Sequence, residues 1–180
     1  MKPPEILNVT FSKFDNPSDN LATDEVIVSF KGRVIFKQYI PKKRKHFSIK
    51  IFKLCDSTGY TYIMKVYLGK DRRHTAQHVT ATHATVTELT KKIERRGHKL
   101  YMDNFFSSPE LFDDLVKKQI YCCGIVRPNR KGMPQDLRPK TTKLKRGDTH
   151  VRTRAGLTAI LWRDKRDVCI LTNIQCPSRR

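Results

Sequence analysis

Two aspartates stand where apolar segments meet polar ones, and each could serve as a metal ligand. Asp103 directly follows Lys99–Met102, a short run that predicts a β-strand, and Asp24 precedes the apolar segment 25–30, which predicts another. An aspartate at a strand end is either a turn-former or a ligand. Two carboxylates brought together repel each other unless a cation neutralises them. Because oxygen-only donors favour Mg²⁺ or Mn²⁺ over zinc, a shared site for one of those ions is the chemistry to test.

A structural role for Asp103 as a helix cap competes with the ligand role. Ser107 and Ser108 precede Pro109, a residue favoured in the first helical turn, and Ser107 with Glu110 has the spacing of a capping box. These serines already provide the helix start, so the Asp103 carboxylate is left available. It follows a strand at the edge where ligand sites of parallel sheets collect.

The pattern of apolar residues predicts the elements that position these acids. Residues 1–23 read as irregular, and Asp56–Gly59 reads as a hairpin turn between two strands. The order of strands separated by helices predicts an α/β sheet covered by helices, with parallel pairing of the later strands. The predicted strands are 25–30, 47–55, 60–68, 99–102, 120–126 and two or three within 149–174, and the predicted helices are 75–96 and 109–118.

The charge of the chain favours a polyanionic partner. It has 180 residues, the length of one ordinary domain, with 37 Lys and Arg against 17 Asp and Glu and a net charge of +20. Such an excess predicts nucleic-acid contact, although a solubility-enhancing surface or a nuclear-import signal at 42–45 is the alternative reading. No run of 18 apolar residues exists, so no membrane partner is expected. The basic residues singled out for nucleic-acid binding are Lys42, Lys43, Arg44, Lys45, Arg127, Arg130 and Lys131.

The cysteines and histidines do not form a recognisable metal-binding pattern. Five cysteines without a CxxC pair indicate reduced, mostly buried thiols, as in cytosolic or nuclear proteins. Adjacent Cys122 and Cys123 should point to opposite faces of a strand. His74 and His78 have helical spacing with His83 nearby, but no acid or cysteine is in register, so no zinc site is expected.

The residues around both aspartates resemble the piggyBac transposase family, in order from about residue 20 to residue 174. The resemblance implies a ribonuclease H-like fold of the DDE transposase and integrase class, a mixed sheet with flanking helices and a C-terminal β insertion, here incomplete. The matching blocks are Thr23-Asp24-Glu25, Phe30–Arg33, Tyr39–Lys42, Leu54–Ser57, Tyr67–Lys70, Tyr101–Ser108 and Gly124–Arg130.

The resemblance also implies cut-and-paste DNA transposition that depends on three metal-binding aspartates. Asp24 is similar to the first and Asp103 to the second, with Mg²⁺ or Mn²⁺ as the cofactor, DNA as the partner, the nucleus as the location and a homodimer as a candidate assembly. The third aspartate should lie in a segment similar to Gly-Gly-Val-Asp, and these residues contain none. Asp164 and Asp167 read as solvated residues of a hairpin turn. The chain is therefore expected to be catalytically weak or inactive alone.

Four segments are expected along the chain: the end of a preceding region or linker at 1–22, the ribonuclease H-like catalytic core at 23–130, a basic linker and β-hairpin insertion at 131–176, and a tail at 177–180. Two other functions remain open. The chain could be a non-catalytic DNA-binding remnant that uses its basic surface, or an interaction module in which the inherited charge has no role. A surviving enzyme fragment, a DNA-binding module and an interaction module differ in DNA affinity and in metal dependence.

Overall fold

The computed structural model describes residues 3–14, 16–41, 46–69, 80–138 and 144–175. The chain divides into two compact units, Met1–Lys92 and Ile93–Arg180. Within the described ranges, no helix is long and apolar enough to cross a membrane.

The first unit is built on an antiparallel sheet. The central strand β3 pairs on one side with β1 and on the other with the short β2 and with β4, and the β3–β4 hairpin confirms the predicted one. Helix α2 packs on β3 and β4 and buries Val86 and Leu89, which were predicted on its apolar face. The elements are α1 (Pro3–Phe14), β1 (Asn20–Ser29), β2 (Gln38–Tyr39), β3 (Phe47–Asp56), β4 (Thr61–Val66) and α2 (Ala81–Thr90), and a 3₁₀ turn (Lys91–Ile93) follows.

Two predictions for the start of the chain are wrong. Residues 1–23 are not irregular, because Pro3–Phe14 is a helix and β1 begins at Asn20. Prolines in a first helical turn are tolerated, since the backbone N–H groups there have no intrahelical partner. In β1, Leu21 and Thr23 are both buried and lie two residues apart, so the strand alternation starts before the predicted position. Asp24 therefore lies within the strand instead of preceding it.

Helix α1 closes the outer edge of β4 through one side chain. The Asn8 amide donates from Nδ2 to the Met64 carbonyl oxygen at 2.8 Å and accepts from the Met64 N–H at 2.8 Å. An edge strand presents unpaired backbone groups, and a side-chain amide can satisfy a donor and an acceptor together.

Replacing Asn8 by alanine should lower the free energy of unfolding by about 2 kcal/mol, because two hydrogen bonds to the Met64 backbone are lost. Urea unfolding of the variant checks the value. The control is Thr10→Ala on the same helix, whose hydroxyl donates only to the Ile6 carbonyl oxygen within the helix and should matter less. Equal stability of the Asn8 variant and the native chain would contradict the edge-closing role.

The second unit contains a mixed sheet in the order β5-β6-β9-β8-β7. Strands β5 and β6 are parallel, as predicted, whereas β6–β9, β9–β8 and β8–β7 are antiparallel. The insertion expected as a β-hairpin is instead a three-stranded antiparallel meander, because a third strand pairs with β6 and joins the hairpin to the sheet. The elements are β5 (Lys99–Met102), α3 (Pro109–Lys117), β6 (Tyr121–Ile125), a 3₁₀ turn (Gln135–Leu137), β7 (Thr149–Arg154), β8 (Leu157–Arg163) and β9 (Asp167–Thr172).

One face of this second sheet forms the core with α3. Leu111, Phe112 and Leu115 of the helix are buried together with alternate residues of the strands, such as Leu100 and Leu161. This alternation is the period of two expected for strands with one buried face. In the parallel pairing of β5 with β6, Met102 lies opposite Gly124.

The described cysteines are free thiols, as predicted. Cys122 and Cys169 are buried and Cys123 is half-buried, so the two adjacent residues do point to opposite faces of β6. Burial raises the pKa of the Cys122 thiol and raises the pKa of Cys169 to about 11. A raised pKa keeps both groups in the unreactive thiol form near neutral pH.

Candidate functional site

Asp103 lies directly after β5, at its carboxyl end, with its side chain exposed to solvent. Its Oδ1 accepts the Phe105 N–H at 2.9 Å, which makes an Asx turn. The turn-forming and ligand roles therefore do not exclude each other. One carboxylate oxygen shapes the turn, and Oδ2 accepts no hydrogen bond from any residue that the structure describes.

The two serines that follow have different roles from those expected. Ser108, not Ser107, is the N-cap of α3, and its hydroxyl accepts the Leu111 N–H at 3.3 Å. The predicted capping box at Ser107 is wrong. Ser107 is fully buried and turns back to Asp103, donating to the Asp103 carbonyl oxygen from its N–H at 3.1 Å and from Oγ at 2.8 Å. The segment from Asp103 to Ser107 is thus closed by three hydrogen bonds of its own.

Gly124 of β6 makes room for this closed turn. A Cβ at position 124 would stand 2.4 Å from the Met102 carbonyl oxygen and 2.5 Å from Ser107 Oγ, both far inside contact distance. Only a residue without a side chain fits between β5 and the buried serine. The sequence contained a signal for this position, since an isolated glycine within an apolar strand often marks close approach of another backbone.

Basic residues follow the neighbouring strand at the same edge of the sheet. Because β5 and β6 are parallel, Asp103 and the turn at 127–130 both leave the carboxyl ends of their strands. Arg127 and Lys131 are exposed, and Arg130 is half-buried. The Arg130 Nη2 donates to the Phe105 carbonyl oxygen at 2.8 Å and, more weakly, to that of Asn104 at 3.4 Å. An exposed carboxylate and two exposed cations therefore follow the carboxyl ends of neighbouring parallel strands.

Asp24 belongs to the first unit and lies at the fifth position of β1, directly opposite Lys53 of β3. Its side chain is exposed, and its Oδ1 accepts the N–H of Glu25 at 2.7 Å. The adjacent Glu25 points to the opposite face and forms an ion pair with Lys50. Of these two neighbouring acids, Asp24 is thus the one with an exposed carboxylate and no ion pair among the described residues.

Some predicted positions lie outside the described residues. Lys42, Lys43, Arg44 and Lys45 are among them, as are His74 and His78. In the described ranges no group of three or more His, Cys, Asp or Glu side chains could hold a metal ion. Asp164 lies in the β8–β9 turn, as predicted, and pairs with Arg146. Asp167 does not: it is the first residue of β9 and pairs with Arg163 at 2.6 Å.

Sequence reasoning missed one ionic cluster in the second unit. Asp136, the middle residue of the 3₁₀ turn Gln135–Leu137, accepts from Arg152 Nε at 2.6 Å and lies 3.2 Å from the His150 ring nitrogen Nε2. The hydrogen bond from His150, together with the charge of Arg152, holds the pKa of Asp136 below its ordinary value. No motif announces this cluster, because its members come together only through the pairing of β7 with the rest of the sheet.

Comparisons with known proteins bear on this arrangement. The family model described as Transposase IS4 matches residues 5–178. The human PiggyBac transposable element-derived protein 5 is 26% identical over 145 residues, which cover 76% of this chain and 28% of the human protein. A chain in the cryo-EM structure of the piggyBac transposase synaptic complex with hairpin DNA has a TM-score of 0.86 and 26% identity, with 98% of this chain and 37% of that chain covered.

These likenesses confirm the predicted α/β class with a mixed sheet, in agreement with a ribonuclease H-like DDE fold. The chain spans 28% of the human relative and 37% of the solved one. The family model covers almost the whole chain, and both relatives are piggyBac proteins. The chain belongs to the Transposase IS4 family of DDE transposases, and its similarity to two piggyBac proteins confirms the predicted resemblance to the piggyBac family.

Proposed function

We propose that this chain is the DNA-handling part of a piggyBac-type transposase, in which Asp24 and Asp103 are metal ligands and the exposed cations contact phosphates. The observation that carries the proposal is the edge of the second sheet. The exposed carboxylate of Asp103 follows the carboxyl end of β5, and the exposed Arg127 and Lys131 follow the carboxyl end of the parallel neighbour β6. A phosphodiester needs both, because cations hold its charge and a carboxylate holds the metal that acts on it.

The two aspartates suit Mg²⁺ or Mn²⁺. Each carboxylate is exposed, and each uses Oδ1 to accept one backbone N–H, from Phe105 for Asp103 and from Glu25 for Asp24. Oδ2 of each accepts no hydrogen bond among the described residues, so one hard oxygen donor per aspartate is available. When bound, such an ion polarises the phosphoryl oxygen and activates the attacking group.

The residues of this chain have a limited set of tasks in that chemistry. Arg127 and Lys131 bind and orient the phosphate backbone, and the closed turn from Asp103 to Ser107 keeps one ligand in place. The 180 residues contain two aspartates similar to the three of the family. We therefore propose that the chain alone binds DNA and cuts it weakly or not at all, because loss of one ligand from a two-metal clamp costs orders of magnitude in rate.

A second function has support from the charge alone. A net charge of +20 is sufficient for phosphate binding without any metal, as in a non-catalytic DNA-binding module. We also propose, from the family resemblance, that the chain acts in the nucleus and as a homodimer. The metal dependence of DNA handling separates this function from the one proposed above.

One reaction tests both parts of the proposal. The chain is incubated with a DNA hairpin and Mn²⁺, and the products are resolved on native and denaturing gels. We expect a mobility shift with little cleavage. Absence of a shift at low salt would contradict DNA binding. Reproducible cleavage that disappears in Asp103→Ala would contradict the inactive state and would make the chain an enzyme in its own right.

A further inference from the structure

Arg130 differs from the other basic residues at this edge of the sheet. Its side chain is half-buried, whereas Arg127 and Lys131 are exposed. Its Nη2 reaches back to the turn after β5 and donates to the Phe105 carbonyl oxygen at 2.8 Å, with a second, longer contact of 3.4 Å to Asn104. The Nε atom is buried and makes no hydrogen bond with the residues that the structure describes. A cation placed to bind phosphate would instead project its guanidinium into solvent.

Arg130 donates to Phe105, the same residue that hydrogen-bonds to the Asp103 carboxylate. Phe105 donates its N–H to Asp103 Oδ1 at 2.9 Å, and its carbonyl oxygen accepts from Arg130. A guanidinium on the carbonyl polarises the peptide groups of the turn and limits their rotation. The backbone of Arg130 is itself fixed, because its N–H donates to the Arg127 carbonyl oxygen at 3.0 Å. The turn after β6 thus supports the turn after β5.

We propose that Arg130 is a positioning residue that holds the Asp103 carboxylate in place, and that it is not a phosphate contact. The proposal rests on the function proposed above only where it concerns metal. Residues that orient a ligand from behind typically change metal affinity by about tenfold or more when they are removed. A residue that contacts phosphate instead contributes to the salt dependence of DNA binding.

Arg130→Met separates these roles, because it keeps most of the stem and removes the charge and the donors. Amide hydrogen exchange should become about tenfold faster across residues 103–107 and stay unchanged in the first unit, because the support of one carbonyl is lost. Mn²⁺ affinity should fall about tenfold. The slope of DNA affinity against salt should stay that of the native chain. Arg127→Met is the matched control. It should make the negative slope of log DNA affinity against log salt concentration shallower by about 0.9 and leave hydrogen exchange across 103–107 unchanged.

Arg130→Lys is the second variant, for use if Arg130→Met does not fold. Lysine keeps the charge but lacks the planar fork, so it should also speed exchange across 103–107. Two results would overturn the positioning role. One is unchanged hydrogen exchange across 103–107 in the Arg130 variants, and the other is a salt dependence of DNA affinity that becomes shallower by about 0.9 in Arg130→Met. If the native chain binds no Mn²⁺ but exchange rises as described, the positioning of the turn is supported and the metal part of the proposed function fails.

Discussion

Replacing Gly124 by alanine is expected to lower the free energy of unfolding by about 3 kcal/mol, the upper end of the range for overpacking. The new methyl group would meet the Met102 carbonyl oxygen at 2.4 Å and Ser107 Oγ at 2.5 Å. The first is backbone in a strand paired with β6, so it cannot move without disturbing the register of Met102 with Gly124. Differential scanning calorimetry should show a melting temperature lower by about 10 °C.

Two controls separate this clash from other effects of losing a glycine. Gly59→Ala tests backbone strain alone, because Gly59 has a φ of +86° and a Cβ there would meet no atom within 4 Å. It should cost about 1 kcal/mol. Adding Ser107→Ala to the Gly124 variant removes the hydroxyl contact but leaves the carbonyl contact, so recovery should be partial at most. A Gly124 variant as stable as the Gly59 variant would contradict the close approach of Gly124 to Met102 and Ser107.

DNA affinity is expected to fall by about a thousandfold when the salt concentration rises from roughly 50 to 200 mM, the behaviour of a protein that neutralises several phosphates. The net charge of +20 supplies more cations than the acidic residues can pair. Fluorescence anisotropy of a labelled duplex, measured across that range, gives the slope of affinity against salt. A shallow slope, or no binding at the lowest salt, would favour the interaction module over both DNA-binding functions.

Substitutions that neutralise single cations should show which basic residues contact the DNA phosphates. Arg127→Gln and Lys131→Gln should each make the negative slope of log DNA affinity against log salt concentration shallower by about 0.9, because each removes one phosphate contact. The matched control is Lys117→Gln, which removes the same charge from α3, where Lys117 pairs with Asp114 at 2.9 Å. Equal effects of all three substitutions would mean that the net charge acts diffusely and that the sheet edge is not the contact.

The sequence predicted the second unit better than the first. Strand β5, helix α3 and strand β6 are found within a residue or two of the predicted bounds, because apolar periodicity and the Ser-Pro start of α3 are strong local signals. The helix Pro3–Phe14 was missed, since two prolines and a following Asn-Pro suggested irregular chain. Its support comes from a distant edge strand through Asn8, 56 positions away from Met64 along the chain. No local pattern carries such information.

The candidate site was predicted only where local sequence signals determine it. Local spacing placed Asp103 at the end of β5, and the family resemblance picked out Asp24. Spacing failed to distinguish Ser107 from Ser108, because the choice depends on which hydroxyl faces the buried side of the turn. It also treated Arg130 as one more surface cation. Its contact with Phe105 exists only because β5 and β6 are parallel neighbours, which makes two turns 25 positions apart meet.

The most direct test of the account is Mn²⁺ binding by the native chain and by the variants Asp24→Asn and Asp103→Asn, measured by electron paramagnetic resonance of the free ion. We predict that either substitution raises the dissociation constant by at least about tenfold, a loss of about 1.4 kcal/mol. Asp113→Asn is the control, since Asp113 is a partly exposed acid beside Arg154. Native affinity retained in the double variant would contradict the assignment of these aspartates as the metal ligands of a transposase.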